Sequence, residues 1–173
     1  MTVLGKGIVG KSTLTYNFLN YNTQSKYEPT IEDCYQTSIE IDGRKHLVEI
    51  LDTAGQEDYQ NMIDMWISFG DGFILVFAID DKESFEAIKE KHSRVLKAKK
   101  KAPFILVGNK IDLENKRKVS KDEAQKLAEN WGIEYIETSA KNNINCSEPF
   151  QRLAEIIWDG NHKEKGDCKC SIF

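Results

Sequence analysis

The chain lacks the features that mark secreted, zinc-binding, nucleic-acid-binding and membrane-spanning proteins. Its four cysteines show no paired zinc-site spacing and no secretory signal is visible, which predicts a reduced, cytosolic compartment. The longest apolar run, residues 73–79, is far too short to cross a bilayer. Because 24 Lys and Arg stand against 28 Asp and Glu, the net charge is −4, and we expect no nucleic-acid partner.

The chain has 173 residues, which is enough for one domain. Along it, short apolar runs alternate with segments that show helical periodicity. The predicted strands are 2–4, 39–41, 46–51, 73–79, 104–108 and 133–136, and the predicted helices lie around 85–96, 124–131 and 150–157. This alternation predicts an α/β fold with a mostly parallel six-stranded sheet, helices on both faces, and ligands at the carboxyl ends of the strands. The domain is predicted to span residues 1–158, followed by a flexible tail, residues 159–173, where the apolar periodicity stops.

The most informative motif is G-x-x-x-x-G-K-S at residues 5–12, which is the spacing of a phosphate-binding loop. Its glycines let backbone N–H groups turn towards phosphates, and the helix that begins there adds the positive end of its dipole. Lys11 can reach the β- and γ-phosphates, and the Ser12 hydroxyl can hold Mg²⁺. The motif predicts nucleotide contacts from Gly5, Gly7, Ile8, Val9, Gly10, Lys11, Ser12 and Thr13. For the motif alone, a chance Gly-Lys-Ser turn is the alternative.

A second motif, D-T-A-G-Q-E at residues 52–57, follows the apolar run of the third predicted strand. Asp52 at a strand end suits Mg²⁺, which prefers oxygen ligands. Gly55 has no side chain and can bring its backbone N–H to a γ-phosphate, while Gln56 carries the donor and acceptor needed to orient water. By itself the motif is also compatible with a structural turn; its position after a phosphate loop favours the functional interpretation.

Two further motifs follow the next predicted strands and point to guanine. In N-K-I-D, Asn109 and Lys110 precede Asp112, whose carboxylate can accept hydrogen bonds from the N1 and 2-amino groups of guanine, which adenine does not offer. In E-T-S-A-K, the segment of Ser139, Ala140 and Lys141 can present a backbone N–H to the guanine O6. Adenine would leave these buried polar groups of the protein without hydrogen-bond partners, and that cost would select GTP over ATP.

These motifs together resemble those of Ras-family small GTPases, over essentially the whole chain. Residues 27–35, Y-E-P-T-I-E-D-C-Y, resemble the first switch and effector segment of the Ras branch. The resemblance implies a P-loop NTPase domain that binds GDP and GTP with Mg²⁺ and slowly hydrolyses GTP to GDP and phosphate. By that likeness the catalytic residues are Lys11, Thr30, Gly55 and Gln56, the Mg²⁺ ligands are Ser12, Thr30 and Asp52, and Tyr27 and Pro29 also contact the nucleotide.

The resemblance also implies partners. Exposed residues of the effector segment, Ile31, Glu32, Asp33 and Tyr35, suit effectors with basic, ubiquitin-like Ras-binding domains that add a strand. No arginine is placed as an internal finger, so we expect slow intrinsic hydrolysis, a separate GTPase-activating protein and a guanine-nucleotide exchange factor. The protein is expected to act as a monomer.

The last four residues, Cys170 to Phe173, match the C-a-a-X pattern for prenylation, and the terminal Phe is typical of geranylgeranylation. One lipid anchors weakly, and Cys168 is the candidate for a second, palmitoyl group. We therefore expect lipid anchoring at the cytoplasmic face of the plasma membrane or an endomembrane.

Three departures from the Ras pattern bear on nucleotide exchange. The first predicted strand is unusually short, which favours a truncated start over a weakened sheet centre. Ile8 stands where Ras commonly has glycine, and Thr23 stands where an aromatic residue lies against guanine. We expect faster nucleotide exchange than in typical Ras.

Two other function classes remain open. One is a GTP-binding recruitment module with little hydrolysis, against which Gln56 argues. The other is an ATP-using kinase, opposed by Asp112 in its N-K-x-D motif and by the lack of a second-substrate domain.

Overall fold

The structure is a computed structural model of the chain, and it describes residues 1–19, 32–53 and 62–166. Glu32 and residues 161–166 are described by their backbone alone. The strands are β1 Thr2–Gly5, β2 Glu32–Ile41, β3 Arg44–Thr53, β4 Phe73–Ala78, β5 Phe104–Asn109 and β6 Glu134–Glu137. The α-helices in the described residues are α1 Lys11–Phe18, α2 Ile63–Phe69, α3 Lys82–Ala98, α4 Lys121–Trp131 and α5 Glu148–Gly166, and a 3₁₀ helix spans Ile111–Lys116.

The six strands form one sheet in the order β2-β3-β1-β4-β5-β6. β2 and β3 pair antiparallel and all other neighbours pair parallel, so the predicted mostly parallel six-stranded sheet is confirmed. The β2–β3 hairpin turns at Asp42 and Gly43, which both have positive φ (51° and 72°). Positive φ at both central residues is typical of the two-residue turn that matches strand twist.

The core lies on both faces of the sheet, because every residue of β4 and β5 is buried. On one face α2, α3 and α4 contribute Trp66, Phe85 and Ala124 to a single apolar cluster. On the other face Leu14 of α1 and Phe150 of α5 pack in a second cluster. Continuous apolar runs in the sequence thus correspond to strands covered on both sides.

Ser120 caps the start of α4, where its hydroxyl accepts a hydrogen bond from the Glu123 N–H at 3.1 Å. Most predicted boundaries differ from the structure by one to three residues, and two differ by more. β2 begins at Glu32, seven residues before the predicted strand, because its exposed polar side chains hide the strand from an apolar pattern. α5 continues through residues 159–166, predicted as tail, and ends at Gly166. No helix in the described ranges is long and apolar enough to span a membrane.

Candidate functional site

The predicted motifs converge at the carboxyl ends of parallel strands. The loop after β1 leads into α1, Asp52 lies near the end of β3, Asn109 ends β5, and Thr138 follows β6. Because β1, β3, β5 and β6 run in one direction, these ends share one edge of the sheet. The sheet therefore assembles the phosphate and base motifs into one site.

Gly10 initiates α1 in a conformation that few other residues adopt. Its φ is +95°, and a Cβ at this position would lie 2.5 Å from Asn109 Nδ2. Gly5 is similarly constrained, because a Cβ there would lie 2.3 Å from the Val76 carbonyl oxygen. Glycine is required at both positions for the loop to pack against β4 and β5.

Ile8 is the strained residue of the phosphate loop. It adopts φ 67°, a left-handed conformation that is unfavourable for a β-branched side chain. Its side chain is 76% exposed, so little packing offsets the strain. The residue lines the same cavity as Lys110 and Asp112 and thus lies beside the base motif.

Ile8→Gly is expected to raise the free energy of unfolding by about 1 kcal/mol, because glycine adopts positive φ without the Cβ penalty. Because the strain lies in the loop conformation predicted to hold phosphate, the variant is also expected to release GDP about fivefold more slowly. Denaturant unfolding and release of a fluorescent GDP analogue measure the two effects. Asp42→Gly is the matched control: it also removes a positive-φ side chain, but in the hairpin turn, and should leave release unchanged. An unchanged release rate in Ile8→Gly would show that the strain does not act on the nucleotide.

Lys11 is buried at the start of α1 and its ammonium group donates a hydrogen bond to the Lys6 carbonyl oxygen at 3.0 Å. Burial lowers the pKa of Lys11 to about 8, an effect that the nearby Asp52 partly opposes. A phosphate group would supply the negative charge that this desolvated cation lacks. The geometry is therefore suited to binding an anion within the loop.

Asp52 is completely buried on β3. Neither carboxyl oxygen completes a full hydrogen bond within the described residues, although the Ser12 hydroxyl lies close enough to favour the charged form. Burial nevertheless raises the pKa of Asp52 from 3.8 to about 6. A buried carboxylate beside Ser12 with unused acceptor capacity fits an oxygen-liganded divalent cation, so these two predicted Mg²⁺ ligands lie together.

The raised pKa of Asp52 predicts that the nucleotide-free protein loses stability as pH rises from about 4 to about 6. In that window the unfolded carboxyl group ionises while the folded one still holds its proton, which favours unfolding. Asp52→Asn removes this pH dependence. The free energy of unfolding of the variant should therefore equal that of the wild type near pH 4 and exceed it by up to about 3 kcal/mol at neutral pH. Urea unfolding across the pH range measures the difference. Asp71→Asn, at an exposed carboxylate, is the control; a constant difference across the range would contradict the assignment to Asp52.

Asn109 joins the phosphate loop to both base motifs through its side chain. Its Nδ2 donates to the Val9 carbonyl oxygen at 2.8 Å. Its Oδ1 accepts from the Thr138 hydroxyl and the Ala140 N–H, each at 3.0 Å. These hydrogen bonds brace the loops around the candidate site, and the nucleotide contact of Asn109 stays a prediction.

Asp112 lies in the 3₁₀ helix after β5, and its Oδ1 accepts a hydrogen bond from the Ser139 hydroxyl at 2.6 Å. Ser139 Oγ in turn accepts from the Asn142 N–H at 3.1 Å. This chain of hydrogen bonds holds the carboxylate in one orientation. The structure thus brings together Asp112 and Ser139, which the sequence placed in separate base-recognition motifs.

These residues enclose a cavity of about 510 Å³. Its lining comprises Ile8, Gly10, Thr13, Asn109, Lys110, Asp112, Leu113, Ala140 and Lys141. All but Leu113 belong to the predicted nucleotide contacts. Leu113 follows the N-K-I-D motif directly, and that adjacency is the only sequence signal that marks it.

Sequence reasoning missed an ion pair that braces the base motifs. Arg117 donates to Glu137 Oε1 at 2.8 Å and also bonds Glu114, and Tyr135 donates to Glu137 at 2.9 Å. The bond to Glu114 and the pair with Glu137 raise the pKa of Arg117 and keep it charged. Because twenty residues separate Arg117 from Glu137, no local pattern marks the pair.

The described part of the predicted effector segment, residues 32–35, lies on β2 at the edge of the sheet. Asp33 is exposed and lies directly opposite Asp52 in the β2–β3 ladder. The Tyr35 hydroxyl donates to the Tyr16 hydroxyl of α1 at 3.0 Å, and burial together with this bond raises the pKa of Tyr35. Cys34 is exposed, because the alternation of side chains along β2 turns it away from the interior.

The other predicted site residues lie outside the described residues. They are Tyr27, Pro29, Thr30 and Ile31 of the first switch, Gly55 and Gln56 of the second motif, and Cys168 and Cys170 of the tail. Thr23 also lies outside the described part of the chain. The predicted phosphate and base contacts that the structure describes all lie at the edge of the sheet where the parallel strands end.

Comparison with known proteins agrees with this geometry. The model of the Ras family matches residues 1–159. The chain belongs to the Ras family. Ras-like protein RAS2 of Hydra vulgaris is 44% identical over 163 residues, which cover 93% of this chain and 85% of that protein. Ras-related protein ralB-A of Xenopus laevis is 45% identical over 168 residues, covering 95% of this chain and 82% of that protein.

Membership confirms the resemblance seen in the sequence and the P-loop GTPase fold. Ras-family small GTPases are GTP hydrolases, and this chain is a Ras-family small GTPase. Members of the family bind GDP and GTP, typically with Mg²⁺, and interact with exchange factors, activating proteins and effectors.

Proposed function

We propose that this protein is a membrane-anchored molecular switch that binds GTP with Mg²⁺, slowly hydrolyses it to GDP and phosphate, and recruits effectors in the GTP-bound state. The observation that carries the proposal is the buried Asp52 carboxylate on β3 next to the phosphate loop. Its pKa is raised by burial and lowered by the Ser12 hydroxyl and the Lys11 ammonium group. The three groups form a site for a metal–triphosphate.

The phosphate loop would hold the nucleotide and supply most of the catalysis by position and charge. Lys11 would pair with the β- and γ-phosphates, and the hydrogen-bonded pair of Asp112 and Ser139 would bind guanine. Mg²⁺ held by Ser12 and Asp52, with Thr30, would neutralise charge on the transferred phosphoryl group. Gln56 would orient the attacking water, as its position in the family motif implies.

The β2 edge supports recruitment of effectors by strand addition. Asp33 is exposed, and the free edge of β2 leaves backbone groups available for a partner strand. Two carboxylates, Glu32 and Asp33, begin this strand and suit a basic, ubiquitin-like domain. We further propose prenylation at Cys170, with Cys168 as a palmitoyl site, and location at the cytoplasmic face of a membrane.

Single-turnover hydrolysis of bound GTP, with Gln56→Leu as the variant, tests the proposal. The wild type should turn over slowly, and the variant should be slower by about 10- to 100-fold, because leucine has no group to orient water. Nucleotide release is measured in parallel and should be similar in both proteins. Equal hydrolysis rates would contradict the role of Gln56.

A GTP-binding recruitment module is the second candidate, favoured by the strained Ile8 in the phosphate loop. It predicts Mg²⁺-dependent GTP binding without turnover in either protein, even with a GTPase-activating protein present. Turnover that appears only on adding the activating protein would support the switch.

A further inference from the structure

The C-terminal end of α3 carries the densest run of positive charge in the described chain. Four of residues 97–101 are lysines. Lys99 has a structural role, since its ammonium group donates hydrogen bonds to the Ser68 and Gly70 carbonyl oxygens at 3.0 and 2.6 Å. Lys97, Lys100 and Lys101 are exposed, and none forms a hydrogen bond or ion pair with another described residue. We call these three residues the α3 lysine patch.

The patch lies at the edge of the sheet opposite the nucleotide site, because α3 ends just before β5 begins. A groove of about 630 Å³ opens beside it, lined among others by Leu96, Trp131 and Ile156. Lys100 and Glu134 are the lining residues charged at neutral pH, and Glu134 is already bonded to Arg152. The uncompensated charge of the groove is therefore positive.

The C-terminal helix leaves the domain at this same edge. Ile156 of α5 lines the groove, and Ile157 packs against Gly72, just before β4. From there α5 runs nine residues to Gly166, about 14 Å, and Cys170 lies four residues further, at most about 14 Å more. A lipid on Cys170 would thus hold Ile157, at the same edge of the domain as the patch, within about 28 Å of a bilayer.

We propose that the α3 lysine patch is a second membrane-binding element, which docks this edge of the domain onto a bilayer containing anionic lipid. The proposal rests on the lipid attachment at Cys170 proposed above. Before Cys168 is acylated, the single lipid chain on Cys170 gives only marginal binding and requires another signal. The tail supplies little net charge, because its lysines are balanced by carboxylates; these are Lys163, Lys165 and Lys169 against Asp159, Glu164 and Asp167. Each lysine near an anionic surface strengthens binding by about fivefold.

The test uses the full chain, geranylgeranylated in vitro and verified by intact mass, in flotation with two kinds of vesicle. One contains phosphatidylcholine alone and the other adds phosphatidylserine. The triple variant K97Q/K100Q/K101Q is compared with K116Q/K121Q/K126Q, which removes the same charge from exposed lysines of the 3₁₀ helix and α4. The patch variant should lose about 10- to 100-fold in partitioning onto anionic vesicles, and the control little. Neither should change on neutral vesicles.

Three outcomes would overturn the proposal. Equal losses in the two variants would assign the effect to net charge. Wild-type binding that is the same with and without phosphatidylserine would exclude an electrostatic contact. Unchanged binding of the patch variant would point to an acidic protein partner for these lysines. Absence of the lipid by mass would contradict attachment at Cys170 itself. The same comparison would then be made with the unmodified chain at higher lipid concentration, where the difference between variants must persist. GTP hydrolysis in solution should be equal in both variants, which separates this proposal from the switch function.

Discussion

Asp112→Asn is expected to weaken GDP binding by about 10⁴-fold. The carboxylate would accept two hydrogen bonds from guanine, and an amide replaces one acceptor with a donor that meets the guanine amino group. The Ser139 hydroxyl bond at 2.6 Å can persist through the remaining oxygen, so the loop should keep its conformation. Equilibrium titration with a fluorescent GDP analogue measures the loss.

The same variant provides its own control for folding. Xanthosine diphosphate carries an oxygen in place of the guanine 2-amino group, and the new amide N–H can donate to it. Asp112→Asn should therefore bind xanthosine diphosphate more tightly than the wild type does. Loss of both nucleotides would show that the substitution damages the loop instead of changing its specificity, and an unchanged GDP affinity would refute the assignment.

Lys11→Met is expected to lower GTP affinity by about 10³-fold, because it removes a buried cation placed to pair with phosphate. Methionine retains much of the apolar stem and fills the space within the loop. The measurement is GTP binding at fixed salt and Mg²⁺ across the alkaline pH range.

The pH dependence distinguishes a phosphate contact from simple packing. The empty site holds Lys11 with a pKa of about 8, so above that pH the wild type must take up a proton to bind an anion with Lys11 charged. Wild-type affinity should fall by up to about tenfold per pH unit above pH 8, whereas Lys11→Met should lack this fall. Parallel curves for the two proteins would show that the Lys11 charge does not contact the nucleotide.

The central part of the fold was predictable because its signals are local and strong. β4 and β5 are buried along their whole length, so their sequences are continuous apolar runs that an amphipathic element cannot produce. The phosphate loop was predictable because Gly10 must adopt φ +95° against Asn109, which leaves no room for another residue. Ser120 likewise marks the start of α4 through its own hydrogen bond.

Other features depend on contacts between distant residues or on a neighbouring strand. β2 starts at Glu32 because β3 supplies its ladder partners, and an exposed edge strand with polar side chains shows no apolar period. The Arg117–Glu137 ion pair and the hydrogen bond between the Asn109 side chain and Thr138 form only when β5 and β6 lie side by side. Sequence motifs predict the members of the base site, and the tertiary structure adds the hydrogen bonds that hold them together.

The register of the β2–β3 ladder places the exposed edge strand β2 beside the candidate metal site. Asp33 stands opposite Asp52, and its negative charge is one of the influences that raise the pKa of Asp52. A partner that neutralises Asp33 with a cation would lower that pKa and favour the ionised carboxylate that a divalent cation needs. Thermodynamic reciprocity requires the converse, so cation binding at Asp52 must strengthen that partner's binding at Asp33 by the same factor. Two neighbouring strands thus provide a direct electrostatic coupling between the exposed edge of the sheet and the candidate metal site.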